Sequence, residues 1–449
     1  DAATPDAVEA LIQRLGYANT DSSPNASRSL GLRVSDGDGG SSTPNVLTIN
    51  VTAQLDGTPK AYGEDQVNTY TTDHQQNPNV AALAGGGYIV TWTSNGQDGS
   101  SWGVYAQRYN ASGVAVGPEF KVNSLTGGGQ SWPHVAGLSD GGFVIAWQED
   151  AGNDGSGYGV YGQRYDVAGA PAGNQFLVNT HTNSTQYHDA VAAYTGGFAT
   201  VWSSTSNTGG SSHDIYLQRW NNDGSKAGGE LRVSNAPGLT TAQAGNQYVP
   251  EVAAQANGNL FIVWNDNGSN DGSVDGVYGR FYNAGTGTFS NTVLVNTTTA
   301  DHQTYGGSGD YEANVAALSD GGYIVVWPSN AQDGSGWGVY GQRFDSTGAK
   351  VGGEFRVNEH TSNNQFQIDV IGLSTGGFVV GFYHDNLSPD GSGTYYDAFI
   401  REFDASGMAV DGDRKVNTYN GSNYYQGEPA LADLGNGNYV VTWTSQYQD

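Results

Sequence analysis

Five loops of this chain set Asp-Gly-Ser behind an amide or a proline, and that combination suits a hard cation. They read Asn95-Gly96-Gln97-Asp98-Gly99-Ser100, Asn153-Asp154-Gly155-Ser156, Asn270-Asp271-Gly272-Ser273, Gln332-Asp333-Gly334-Ser335 and Pro389-Asp390-Gly391-Ser392. Calcium takes about six to eight oxygens from carboxylates, amides and carbonyls, and Gly lets the chain turn sharply around it. One copy is fuller: Asn267, Ser269, Asp271 and Asp275 place oxygen donors at positions 1, 3, 5 and 9 of a nine-residue loop. Asp36 and Asp38 in Asp36-Gly37-Asp38-Gly39 are further candidates, for a calcium ion between domains. The competing reading of each loop is a plain turn in which Asp bonds its own backbone.

Aromatic residues stand next to these loops: Trp102, Tyr158, Trp337 and Tyr395. Rings beside carboxylates suit a carbohydrate, whose C–H faces stack while its hydroxyls bond to oxygen acceptors. Packing at the base of a loop would place the same residues there. For catalysis the chain offers no motif. Its eight His lack the His-Glu-x-x-His spacing of a metal site, and there is no Gly-x-Ser-x-Gly elbow or phosphate loop. With 44 Asp and Glu, close acid pairs arise by chance. The expectation is therefore of a protein that is not an enzyme.

The elements that position these residues come from a repeat. Asn79-Val80-Ala81-Ala82-Leu83, Gly87-Tyr88-Ile89-Val90-Thr91-Trp92, Gly103-Val104-Tyr105-Ala106-Gln107-Arg108 and Glu119-Phe120-Lys121-Val122-Asn123 form one unit. The order recurs through Trp147, Trp202, Trp264, Trp327, Phe382 and Trp443, at steps of 55, 55, 62, 63, 55 and 61 residues. Each unit holds four apolar runs of strand length separated by Gly, Asp and Asn. Seven four-stranded meanders predict an all-β, seven-bladed β-propeller, with Ala-rich first strands at the axis and a solenoid as the competing architecture. Glu64-Asp65-Gln66-Val67-Asn68 matches a fourth strand ahead of the first complete copy, so an N-terminal strand is expected to complete the last blade, drawn from residues about 47–68. Its third strand would come from Val51-Thr52-Ala53-Gln54 or from beyond Asp449. Asn68, Asn123, Asn179, Asn235, Asn296, Asn358 and Asn417 end the fourth strands and read as scaffold amides. Arg108, Arg164, Arg219, Arg280, Arg343 and Arg401 recur on third strands, where cross-strand pairing with acids accounts for them.

Residues 1–55 differ from the rest, which makes 56–449 the propeller domain. Thr4 caps, Pro5 opens a helix, and Val8, Leu11, Ile12 and Leu15 share one face of it. Leu30, Leu32 and Val34, then Leu47, Ile49 and Val51, alternate as two strands of a partial β-sandwich. The segments Thr4–Leu11, Val34-Ser35-Asp36-Gly37 and Leu47–Ala53 resemble the cadherin-like repeats of large bacterial RTX-type adhesins. The Asp-Gly-Ser-Gly-x-Gly-Val-Tyr-x-Gln-Arg-Phe units resemble arrays in the same kind of secreted, calcium-dependent protein. The loop Asn267–Asp275 resembles the Asp-x-Asp-x-Asp-Gly-x-x-Asp loop of integrin-type propellers, although the other copies lack its closing carboxylate. Ser319-Asp320-Gly321-Gly322-Tyr323 resembles the sialidase Asp-box but misplaces its Gly and aromatic residue.

With 17 Lys and Arg against 44 Asp and Glu, the 449-residue chain carries a net charge of −27, which disfavours nucleic acid and anionic lipid as partners and favours divalent cations. No apolar stretch is long enough for a membrane span. With no Cys there is neither a disulfide nor Cys-bound zinc. No signal peptide opens the chain at Asp1. The resemblance implies an extracellular or cell-surface location in a bacterium and a non-catalytic, calcium-stabilised module for adhesion or surface assembly, with calcium, surface glycan or another surface protein as partners. The alternative is a glycan-binding propeller using the loop aromatics, and the third reading is a hydrolase with its site in the propeller channel.

Overall fold

The computed structural model describes residues 28–31, 46–49, 64–205, 213–234, 245–268, 270–272, 275–304, 312–385, 396–418 and 425–446. Two compact units divide the chain, Asp1–Ala61 and Tyr62–Asp449. In the first, Arg28–Gly31 pairs antiparallel with Val46–Ile49. The helix expected over Thr4–Leu15, together with Asp36 and Asp38, lies outside the described residues, and among those described there is no helix.

The second unit is a β-propeller of antiparallel blades. Blade one runs through Gln75–Ala82, Tyr88–Asn95, Trp102–Tyr109 and Phe120–Lys121, blade two through Gln130–Gly137, Phe143–Glu149, Gly159–Tyr165 and Phe176–Leu177. Blade three comprises Gln186–Tyr194, Gly197–Thr205, His213–Asn221 and Leu231–Arg232. Blade four has Gln247–Ala254, Leu260–Asp266, Gly276–Asn283 and an outer strand split into Thr288–Phe289 and Val293–Leu294. Blade five is Asn314–Ala317, Tyr323–Asn330, Trp337–Phe344 and Lys350–Arg356, and blade six Gln365–Gly372, Phe378–Asp385, Tyr396–Phe403 and Arg414–Lys415. The last repeat supplies only the hairpin Gln426–Gly435 and Asn438–Ser445.

There are therefore six blades of the four-stranded kind, not the seven expected. The seventh copy ends its ladder after two strands, and the expected closing strand forms no ladder with it: Val46–Ile49 pairs within the N-terminal unit instead. Val51–Gln54 lies outside the described residues. The ring nonetheless closes through side chains. Seams between neighbouring sheets form the core, with Ile89 and Val104 against Phe143 and Trp147, or Val263 and Phe281 against Trp327 and Phe344. The hairpin fills the remaining sector, Leu431 packing on Val379 and Ile400, and Ala430 on Val80 and Trp92. Because each sheet is covered on both faces, the second strands of the six blades are buried along nearly their whole length, polar Thr91, Gln148 and Asp266 included, and Trp147, Trp264 and Trp327 are fully buried.

The recurring Asn is structural. Asn123 accepts the Val104 N–H through Oδ1 (2.9 Å) and donates to Gln130 Oε1 (2.8 Å), and Asn179, Asn296 and Asn358 repeat both contacts. In blade three the position belongs to Ser234, whose Oγ accepts the Ile215 N–H at 2.8 Å; Asn235, one residue on, lies outside the described residues. Asn358→Ala strands the buried Val339 N–H and is expected to cost about 1–3 kcal/mol, measured as a shift of the urea midpoint at constant slope. The Arg series joins blades more than strands. Arg108 donates to the carbonyls of Val167 and Ala168 in the next blade, Arg280 to Val233 O (2.7 Å) and Arg401 to Val357 O (2.6 Å) in the preceding one. Carboxylates add a second tie. Glu119 accepts the Thr69 N–H, Glu230 that of Thr180, Glu354 that of Thr297 and Asp413 that of Glu359, at 2.6–2.8 Å.

Candidate active site

Six of the seven first strands carry one extra residue against their partner, so the ladders jump from Gln76 to Asn79, Ser131 to His134, Tyr187 to Ala190, Tyr248 to Glu251, Phe366 to Asp369 and Gly427 to Ala430. Such bulges re-aim side chains. The first residue of each is left-handed: Asn77 (φ 53), Trp132 (φ 55), His188 (φ 50), Val249 (φ 47), Gln367 (φ 48) and Glu428 (φ 54). A β-branched Val in that region is held by its surroundings, not by preference.

The copies diverge at this position. Asn77-Pro78-Asn79 becomes Trp132-Pro133-His134, His188-Asp189-Ala190, Val249-Pro250-Glu251, Glu312-Ala313-Asn314, Gln367-Ile368-Asp369 and Glu428-Pro429-Ala430, while the Val or Leu that follows is constant in kind. These segments converge on a cavity of about 120 Å³ that no Lys or Arg lines.

Within it the His134 ring lies between two acids from the next two blades. Nδ1 is 3.9 Å from Asp189 Oδ2, and Nε2 is 3.8 Å from Glu251 Oε1. Both exceed hydrogen-bond length. The Asp189 side chain is sealed at 0% exposure with neither oxygen hydrogen-bonded, whereas Glu251, at 14%, reaches the cavity. Burial holds the Asp189 carboxyl well above the usual carboxylate range. Burial does the same to Glu251, reinforced by the charges of Glu312, Asp369 and Asp189. Asp369 is pushed up to about 7 by burial, against hydrogen bonds from the Leu431 and Val370 N–H groups and Asn314 Nδ2. Burial lowers His134 and His188 to about 4. The centre thus sets an imidazole whose protonation burial disfavours between two carboxyls whose ionisation burial disfavours, with Glu312 on the same cavity wall. Glu428 accepts from the Asn77 N–H (2.9 Å) and the Thr444 hydroxyl (2.7 Å). A larger cleft of about 570 Å³ lies between blades one and two, but its one charged side chain is Lys121.

The loops singled out from sequence are placed elsewhere. Asp98, Asp154 and Asp333 each accept the N–H of the Ser two residues on (3.0, 3.1 and 3.2 Å), the Asx turn of the competing reading. The other carboxylate oxygens of Asp98, Asp154, Asp271 and Asp333 lie over Gly103, Gly159, Gly276 and Gly338, where a Cβ would stand 2.7–3.2 Å away, which explains the Gly at that place in these four copies. Asn267 Oδ1 accepts the Asn246 N–H at 2.9 Å, and Asp275 pairs with the His302 ring. Ser269, Asp390 and Tyr395 lie outside the described residues. Among the described residues no group of three or more His, Asp or Glu is arranged around a metal. Trp102 ends a ladder opposite Asn95, Trp337 is buried, and Tyr158 is 40% exposed beside Tyr187. They belong to three different blades, and no contact joins them. Sequence reasoning missed His134, Asp189, Glu251, Glu312 and Asp369. The available signal was their place just before the Val or Leu that opens the regular part of each first strand, at a segment where the copies differ in charge.

No family model and no curated protein matches the chain. Among solved structures, a protein of unknown function from Dyadobacter fermentans aligns at 13% identity and TM-score 0.48, covering 69% of this chain and 90% of that one. The NanB sialidase from Streptococcus pneumoniae aligns at 10% and 0.42, covering 89% and 70%. The GH93 α-L-arabinofuranosidase of Fusarium graminearum, solved with arabinobiose, aligns at 14% and 0.42, covering 71% and 92%. The likeness is one of fold. Neither the sialidase nor the arabinofuranosidase is a cadherin-like or RTX-type adhesin. The expectation of a protein that is not an enzyme is corrected here: a sialidase and an arabinofuranosidase stand among the structures the chain is similar to, and the absence of a linear motif gives no ground for excluding catalysis.

Proposed function

We propose that the protein is a glycoside hydrolase acting at the axial cavity on the end of an uncharged sugar chain. The observation that carries this reading is the pair of acids Glu251 and Glu312 lining one cavity, with Glu251 raised above the usual carboxylate range by burial and then by the charge of Glu312. Glycosidic bonds are cleaved by such a pair: one carboxylic acid protonates the leaving oxygen while a carboxylate acts as base or nucleophile. Glu251 takes the acid role and Glu312 the carboxylate role. His134 is a positioning residue, its ring standing between Asp189 and Glu251.

The lining supports an uncharged substrate, because without Lys or Arg an anionic sugar would find no counter-charge there. A volume of about 120 Å³ is well below the roughly 300–1,000 Å³ of a drug-sized ligand site, which favours a chain end over a chain interior. The test is a panel of 4-nitrophenyl glycosides. Release of nitrophenol from at least one neutral pentoside or hexoside, with none from the sialoside, is expected. No release from any neutral member overturns the reading.

A further inference from the structure

In three blades the residue that opens the bulge is held from behind. The N–H of Trp132 donates to Thr93 Oγ1 (3.2 Å), that of His188 to Gln148 Oε1 (3.2 Å) and that of Val249 to Ser203 Oγ (3.1 Å), each acceptor standing on the second strand of the preceding blade. The backbone there is fixed, and the residue lines the axial cavity. The other copies place Asn77, His188, Val249, Glu312, Gln367 and Glu428 at this point, so the indole of Trp132 breaks the repeat.

Trp132 has no part in the scaffold to match the other tryptophans. Trp92 and Trp202 stack on Tyr105 and Tyr216, Trp220 stacks on Phe198, and Trp147, Trp264 and Trp327 fill seams between sheets. Trp132 is half-buried. Among the described residues no other ring meets its indole, its Nε1 has no hydrogen-bond partner, and it joins none of the seams. Six blades and the hairpin follow one another around the axis, and Glu312 leads into blade five, three places on from blade two. Glu312 and Trp132 therefore stand on opposite sides of the cavity.

An indole face left open at a polar cavity suits a ring that is apolar on its flat side and polar at its edge. A pyranose with equatorial hydroxyls is such a ring, since C–H groups cover its faces and the hydroxyls stand around its rim. Building on the glycoside hydrolase reading, we infer that Trp132 is the platform on which an uncharged pyranose lies in the axial cavity, the indole covering a C–H face and Nε1–H donating to a hydroxyl. A furanose, smaller and puckered, covers the indole less completely.

The probes are methyl β-D-glucopyranoside, methyl β-D-xylopyranoside and methyl α-L-arabinofuranoside, followed by saturation-transfer NMR and calorimetry with the whole chain. Trp132→Asn installs the residue that blade one carries at nearly the same φ, 53 against 55, so the bulge is kept. At least one pyranoside should bind more tightly than the furanoside and take up saturation at its ring C–H protons. Trp132→Asn should weaken that binding about tenfold or more, and Trp132→Phe should keep most of it. On the matching 4-nitrophenyl pyranoside the Asn variant should raise KM far more than it lowers kcat. Equal pyranoside binding by wild type and Trp132→Asn overturns the assignment, even where nitrophenol release stands. So does wild-type binding of neither pyranoside, or of the furanoside alone. Binding that Trp132→Asn abolishes and Trp132→Phe keeps, with no release from any nitrophenyl glycoside, supports the platform and overturns the hydrolase reading instead.

Discussion

Glu251→Gln is expected to lower kcat/KM on a neutral aryl glycoside by about 10²–10⁴-fold, the usual contribution of a positioned general acid. Gln keeps the size and hydrogen-bonding oxygen of the side chain but has no proton to give. Burial, and after it the charge of Glu312, raise the wild-type carboxyl well above the usual carboxylate range, so the exchange changes the folded charge pattern little. The melting temperature at pH 7 should not fall, which separates lost chemistry from lost structure. A substrate whose leaving group needs no protonation, such as a dinitrophenyl glycoside, should be rescued relative to a nitrophenyl one. Equal losses on both would assign Glu251 a purely structural role.

The second large effect is on stability above neutrality. The unfolded chain releases its carboxyl protons near the ordinary range, whereas folded Asp189 and Glu251 keep theirs well beyond it and Asp369 to about 7. Across that interval the folded state holds more protons, so rising pH favours the unfolded chain. His134 and His188 work the other way: folded near 4 and unfolded near 6.5, they carry fewer protons when folded, so stability rises with pH between those values. The two trends offset each other up to about pH 6.5. Above it the histidines have finished titrating and only the carboxyls continue. The melting temperature should therefore decline from pH 6.5 to 8.5, and Asp189→Asn should flatten the decline. A slope unchanged in that variant would show that Asp189 does not stay protonated in the folded chain.

Most of the scaffold was legible in the sequence because each blade restates it. The spacing of Trp92, Trp147, Trp202, Trp264, Trp327 and Phe382 marks second strands, and all six lie in them. The Asn that ends each fourth strand was readable for the same reason, except where Ser234 takes its place and the adjacent Asn235 misled. The sheet count was not legible. Repeats announce strands present in order, and the seventh copy lacks two of them in order. The candidate site was hidden for the opposite reason. His134, Asp189 and Glu251 come from three copies 55 to 62 positions apart, and they sit where the repeat stops repeating. The Asp-Gly-Ser loops stood out precisely where turn chemistry and cation chemistry ask for the same residues, and in Asp98, Asp154 and Asp333 the turn accounts for them.

The six bulges share one backbone shape, φ 47–54 or 55, whether the residue is Asn, Trp, His, Val, Gln or Glu. Main-chain form there is indifferent to the side chain it carries. New lettering around the axis can thus be tried without redrawing the frame, so chemistry at the centre is free to diversify while the architecture stays put.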